Sequence, residues 1–389
     1  MVTRHRLRLA ASVGALATVM AAAAAQPARA AATVTWERWL HLPGVFDLAG
    51  PRSDGRLVAA VHGKLTLIDP TGNVTDYAPQ YAAPDGSESY IALSPGLRVD
   101  AARCSFARDD LFALDLRATV PGVLRVGADG SVSTLAVIPG ASTLSGITFD
   151  TTGAFGHRLV VIGTAGQGRT EVATVDCAGN VNPVGVVATT LEGGIAVAPP
   201  GFGPHAGQLI AANELDGNVY AVSPAGLLSA VAASGVPSGQ DTGVESVGFY
   251  SDTSATAYVA DRGTAGNPHP GTDSVLRLSG AALASAGVRP GDLLAATEGG
   301  DTLVDVRCAG TCASTKVASG PAVAHGEGRL LLVAPGSVNG ASGATTAPPA
   351  VQADSSDHTR ALIGTAAAAV LVLGGGVVLW MRRSRLNAI

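Results

Sequence analysis

GQLIAANELDGNVYAVSPAG, residues 207–226, is one unit of a repeat that runs along most of the chain. Its first apolar run ends at Asp216-Gly217, a pair suited to a type I′ turn, and its second ends in a turn centred on Gly226. The same turn recurs in LIDPTGNV (67–74), RVGADGSV (125–132), TVDCAGNV (174–181), VLRLSGAA (275–282) and VDVRCAGT (304–311), centred on Gly72, Gly130, Gly179, Gly280 and Gly310. Each glycine stands between two apolar runs, so each unit reads as a hairpin whose turn needs a residue tolerant of positive φ. Six such units, most at roughly the four-strand blade length, predict an all-β fold, a six-bladed β-propeller.

A second element, an apolar strand before each hairpin, aligns the blades: RLVAAVHG, DLFALDLR, HRLVVIGT, GQLIAANE, TAYVADRG and DLLAATEG. It brings Val61, Asp115, Gly163, Asn213, Asp261 and Thr297 to one equivalent position. A third element lies upstream in four units, ESYIALSP, SGITFDTT, EGGIAVAP and ESVGFYSD, beginning at Glu88, Ser145, Glu192 and Glu245. These read as the innermost strand. The sixth unit is too short for its own inner strand, so HGEGRLLLV or TVTWERWLHL must complete it and close the ring by joining the chain ends. Ala281 to Pro290 reads as a helix or an irregular outer strand.

The two ends are of another kind. Residues 1–30 read as a secretory signal: Arg4, Arg6 and Arg8, an alanine-rich apolar run, and Ala28-Arg29-Ala30 as a cleavage site. No twin-arginine pair is present, which favours Sec export. The propeller is expected over 33–335, and a flexible Ser/Gly/Ala/Thr/Pro-rich linker over 336–360. Residues 361–381 are apolar and long enough to cross a bilayer, and Arg382, Arg383 and Arg385 in the tail 382–389 should stay cytoplasmic. An LPxTG-like sorting pentapeptide is missing upstream, so a retained transmembrane helix is expected. The reading is a single-pass cell-membrane protein with an extracellular N-terminal domain. High alanine and glycine with little lysine suit a GC-rich, actinobacterial-type genome.

Four cysteines in an exported domain point to disulfides. Cys308 and Cys312 are separated by AGT and close a local bridge; this leaves Cys104, in the link from inner to second strand of blade two, for Cys177 in the last turn of blade three. A net charge of −5 with few lysines excludes nucleic acid as a partner. HExxH, GxSxG, P-loop and GxGxxG patterns are missing. His62, His157, His205, His269 and His325 are scattered; His157 and His205 precede equivalent second strands on the face opposite the carboxylates and read as packing or turn residues.

In an antiparallel blade the start of the inner strand and the end of the second lie on one face. Glu88 with Asp115, Glu192 with Asn213, and Glu245 with Asp261 are therefore expected to pair in blades two, four and five at the channel mouth. Glu214 and Glu298, one residue further on, read as rim charges. Crowded carboxylates repel unless balanced, and a set of hard oxygen donors suits Ca²⁺. The alternative reading is that they cap backbone amides or pair with Arg262 and Arg169.

This blade pattern resembles the six-bladed propellers of the SMP-30/gluconolactonase and NHL-like group over roughly Val45 to Val333. The resemblance implies a divalent cation held by a glutamate, an asparagine and an aspartate, and a lactonase or phosphotriesterase activity. The matching positions are Glu192 or Glu88, Asn213 and Asp261, whereas blade one offers only Asp47 where that group carries a glutamate. Two functions follow: a membrane-tethered module binding a small-molecule or protein ligand at the channel face, or a calcium-dependent lactonase/esterase-like hydrolase.

Overall fold

The computed structural model describes residues 33–84, 86–239 and 241–335. The signal, linker, membrane span and tail expected over 1–30, 336–360, 361–381 and 382–389 lie outside the described residues. Among the described residues no helix is long and apolar enough to cross a membrane.

Alternating apolar runs broken by glycine turns pair as antiparallel sheets, and six of these form the ring. Blade one is Val45–Ala49, Leu57–Val61, Lys64–Ile68 and Val74–Tyr77, from axis to rim. Blade two is Ile91–Leu93, Leu111–Asp115, Gly122–Val126 and Val132–Val137; blade three is Thr143–Phe149, Leu159–Thr164, Thr170–Val175 and Val181–Val187. Blade four is Glu192–Val197, Leu209–Asn213, Asn218–Val222 and Leu228–Ala233. Of the six repeat glycines, Gly72, Gly130, Gly179, Gly226 and Gly310 have positive φ, as their turns require.

Blades five and six depart from sequential order. The inner strand of blade five, Val244–Phe249, pairs with Leu293–Thr297, followed outward by Leu303–Cys308 and Cys312–Ser319. Between them the chain crosses to blade six and lays down Thr256–Asp261 and Ser274–Leu278 before returning. The return is a short helix, Gly280–Ser285, capped by the Ser279 side chain, which accepts from the Ala282 amide at 3.2 Å. Gly280 is thus a helix start and not a hairpin turn; a side-chain carbon there would meet the Thr253 carbonyl at 2.3 Å. Blade six is completed at the axis by Gly326–Val333 and at the rim by Glu37–His41. Both chain ends that could close the ring do so, and Val34–Thr35 also adds in parallel to the rim of blade five. Asp261 consequently belongs to blade six, opposite Gly326, and the expected Glu245–Asp261 pair of blade five does not exist.

The core lies between blade faces. Phe112 is buried and meets Phe106 and Phe149 edge-on at 5.2 and 5.5 Å, joining blades two and three. Both expected disulfides are present, Cys104–Cys177 and Cys308–Cys312, with Cα separations of 5.8 and 4.0 Å.

Asp47 ties three blades: its carboxylate accepts from the amides of Leu48, Ile91 and Arg329 at 2.7 Å each. Burial outweighs the Arg329 charge and these bonds and pushes its carboxyl up to about 6. The folded value is above the ordinary 3.8, so the contribution to stability is present below about pH 4 and lost as pH rises through 6. Asp47 should therefore cost about 3 kcal/mol between those limits. In denaturant titrations across pH, Asp47→Asn should remove that fall; a parallel pH profile would show that folding does not shift the Asp47 carboxyl.

Candidate functional site: the acidic channel mouth

Inner strands start, and second strands end, on the same face of the ring. That face gathers Glu88, Glu192, Glu214, Asp241, Glu245, Glu298 and Glu327 around a cavity of about 160 Å³. Glycines allow the close approach this needs. Gly193 has φ of 77°, and a side-chain carbon there would stand 1.8 Å from the Glu245 carbonyl; Gly328, at φ of 70°, would meet the Phe46 carbonyl at 2.4 Å.

The opposite mouth differs in character. Leu93, Phe149, Val197, Phe249 and Leu332 line a cavity of about 330 Å³ there, with Arg329 reaching the Ile147 carbonyl at 2.6 Å.

Of the residues expected at the mouth, Glu88, Glu192 and Glu245 line it. Asp115 does not: it is ion-paired with Arg117 at 2.7 Å. Asn213 donates to Thr189 Oγ1 at 3.0 Å and accepts from the Leu215 amide at 2.9 Å, so its side chain holds a loop. Asp261 is fully buried; one oxygen accepts from the His325 amide at 2.8 Å and the other from the Thr272 hydroxyl. Arg169 bonds its own turn through the Ala165 carbonyl at 3.2 Å.

Glu214 and Glu298 are not rim charges. Both are buried and line the cavity. Each follows the last residue of its second strand, Asn213 or Thr297, where the chain leaves the ladder and bonds to the loop before the blade-five inner strand: the Glu214 carbonyl accepts from the Gly239 amide and the Glu298 amide donates to the Gly243 carbonyl, both at 2.8 Å. Glu327 and His325 lie outside the expected site although HGEGRLLLV is one of the two candidates for closing the ring. Their spacing of two is the signal that puts both side chains on one face of a strand.

His325 Nε2 lies 3.1 Å from Glu298 Oε1 and 3.2 Å from Glu327 Oε1. Arg262 Nη1 is 3.0 Å from Glu327 and 3.5 Å from Glu88, as the pairing alternative anticipated for that arginine. Tyr90 donates its hydroxyl to Glu245 at 2.5 Å.

Burial dominates the electrostatics of the mouth. It raises the Glu192 carboxyl, with the Glu298 and Glu327 charges adding, and drives Glu245 well up despite the Tyr90 bond. Glu88 is pushed up to about 7 by burial and the Glu327 charge, with Arg262 opposing. Glu214 reaches about 9 through burial and its contact with Glu298. Burial also acts to raise Glu298, but bonds to His325 and Glu214 overcome it and hold Glu298 below the usual range. On His325 burial opposes protonation, and the bonds to Glu298 and Glu327 win, lifting the imidazole to about 10.

Fold and site together define the class: a six-bladed β-propeller with a carboxylate-lined channel mouth. No protein-family model matches the chain. No curated protein matches it. Solved structures similar to it include streptogramin B lyase, at TM-score 0.40 and 10% identity over 72% of this chain and 72% of that one. Another is virginiamycin B lyase from Staphylococcus aureus, at 0.39 and 11% over 70% and 84%. A protein provisionally designated a gluconolactonase is similar at 0.34 and 17% over 58% and 70%. The six blades are read from the sheets of this chain alone.

Proposed function

We propose that this protein is a membrane-tethered extracellular propeller that acts as a binding module, with the acidic mouth as its site for a cationic ligand. The observation that carries the reading is the crowding of seven carboxylates around about 160 Å³, faced by Arg262 and His325. Glu214 and Glu298 are in direct contact, an arrangement that needs a shared proton or a bridging cation. Binding is favoured over calcium-dependent hydrolysis because Asn213 and Asp261, two of the three ligand positions that the resemblance implies, spend their polar atoms on the protein itself.

A cation that binds the folded mouth alone stabilises it by about 2.7 kcal/mol at a hundred times its Kd. Thermal unfolding of the chelator-treated full chain should move up with at least one of Ca²⁺, Zn²⁺ or spermine. Glu192→Gln with Glu245→Gln removes two carboxyl groups that can ionise against a cation, so the double variant should respond less to it. If none of the three probes moves the wild-type transition, the reading fails.

The tether rests on the apolar residues 361–381 and the arginines that follow. Protease added to intact cells should release the propeller by cutting between residues 336 and 358. Protection until the membrane is broken would reverse the proposed orientation.

A further inference from the structure

We infer that Glu298, His325 and Glu327 form a site for a divalent first-row transition ion of the Mn²⁺ or Zn²⁺ kind, with imidazole nitrogen as one ligand. The inference rests on the reading of the mouth as a cation site and names its occupant. One donor atom from each residue lies within 4.8 Å of the others. Ligands about 2.1 Å from a metal stand about 3.0 Å apart at right angles and about 3.4 Å apart at tetrahedral angles. The separations from His325 Nε2, 3.1 Å to Glu298 and 3.2 Å to Glu327, fall between these values.

A second observation is independent of that spacing. Glu298 is 8% exposed and lines the cavity, yet among the described residues no N–H or hydroxyl donor reaches its Oε2, and apart from His325 the group that bonds to Glu298 is the Glu214 carboxyl. A buried carboxylate oxygen without a donor is costly unless a proton or a cation serves it. The three side chains also stand on backbone that is locked together. The Gly326 amide donates to the Glu298 carbonyl at 2.7 Å, Gly299 and His325 form a bridge, and Asp261 holds the His325 amide. Arg262, on the Glu327 oxygen that faces His325, orients a ligand carboxylate from outside the coordination shell.

The donor set selects the metal. Calcium takes six to eight oxygen ligands, whereas imidazole with two carboxylates suits Zn²⁺, Mn²⁺ or Fe²⁺. The oxygen-only Ca²⁺ set expected from the sequence is thereby replaced by one containing nitrogen. The side facing the cavity leaves room for water or a ligand group as a further donor.

The same distances would hold an imidazolium between two carboxylates, so the experiment must separate the two arrangements. The full chain, freed of metal by chelator, is titrated with Zn²⁺, Mn²⁺, Ca²⁺ and spermine by calorimetry, and the Mn²⁺ form is examined by pulsed EPR. The expected result is one Zn²⁺ or Mn²⁺ per chain, a ¹⁴N coupling from a bound imidazole, and affinity weakened more than about 100-fold by His325→Gln, beyond the 10–100-fold of outer-shell changes. The ¹⁴N signal is read on the wild-type chain, so it decides the matter even if the variant does not fold. Binding of Ca²⁺ or spermine with no nitrogen coupling overturns this inference and leaves the mouth a cation site. Absence of any binding overturns both.

Discussion

Deleting Thr33–His41 is expected to abolish cooperative folding of the propeller. The segment is the rim strand of blade six, in register Glu37 with Arg277 and His41 with Ser274, and it adds Val34–Thr35 to the rim of blade five. Between these two strands Trp36 is buried and donates its indole N–H to the Asp301 carbonyl at 2.7 Å. Trp39 packs against Tyr258 with ring centroids 5.1 Å apart. Loss of one buried tryptophan costs about 3–5 kcal/mol. Loss of both strands also bares Ser274–Leu278 as an open edge, together with Ala318 and Ser319 at the rim of blade five. The sum is comparable with the whole stability of an ordinary domain, about 5–15 kcal/mol. Circular dichroism should show no thermal transition for the deletion, and size-exclusion chromatography should show association. Trp36→Ala alone should stay folded with a lower midpoint. A truncated chain that remains monomeric and melts like the wild type would show that the ring closes without this segment.

The second large effect concerns the disulfides. Cys104 and Cys177 are 73 residues apart, so breaking their bond frees a long loop in the unfolded chain and should cost about 4 kcal/mol on the loop-entropy account. Cys308 and Cys312 are 4 apart, and the same account gives about 2 kcal/mol. Both bonds are packed: Cys104 and Cys177 sit half-buried against one core cluster, and Cys308 is buried in another with Cys312 against it, so loop length is what separates them. Urea unfolding of the two double-alanine variants should reproduce this order. Equal losses would mean that local packing, and not loop length, sets the contribution of these bonds.

The disulfide pairing was legible because it needs only the identity of adjacent blades and the face on which a turn lies, both of which the glycine repeat supplies. The candidate site was less legible. Glu88, Glu192 and Glu245 were found because they begin inner strands, where position along the repeat coincides with position at the mouth. Glu214 and Glu298 fall one residue off the mouth in the alignment because strand alternation is extended past Asn213 and Thr297, where the strands end and the chain turns under loop hydrogen bonds. Glu327 and His325 escaped because they belong to a strand with no hairpin of its own after it.

By itself the sequence determined the elements: alternating apolar runs make strands, and glycines at five of the six turns admit the positive φ those turns need. It determined the number of blades and which cysteines can meet, since both depend on local spacing. Which inner strand each hairpin joins was decided only by the tertiary structure. A strand edge pairs with whichever edge the closed ring brings beside it, so Thr256–Asp261 lies in blade six although it follows directly on the inner strand of blade five. That exchange places Glu298 from blade five beside His325 and Glu327 from blade six. The mouth owes its imidazole to ring closure, because residues 27 apart in the chain meet only where the two interleaved blades share the axis.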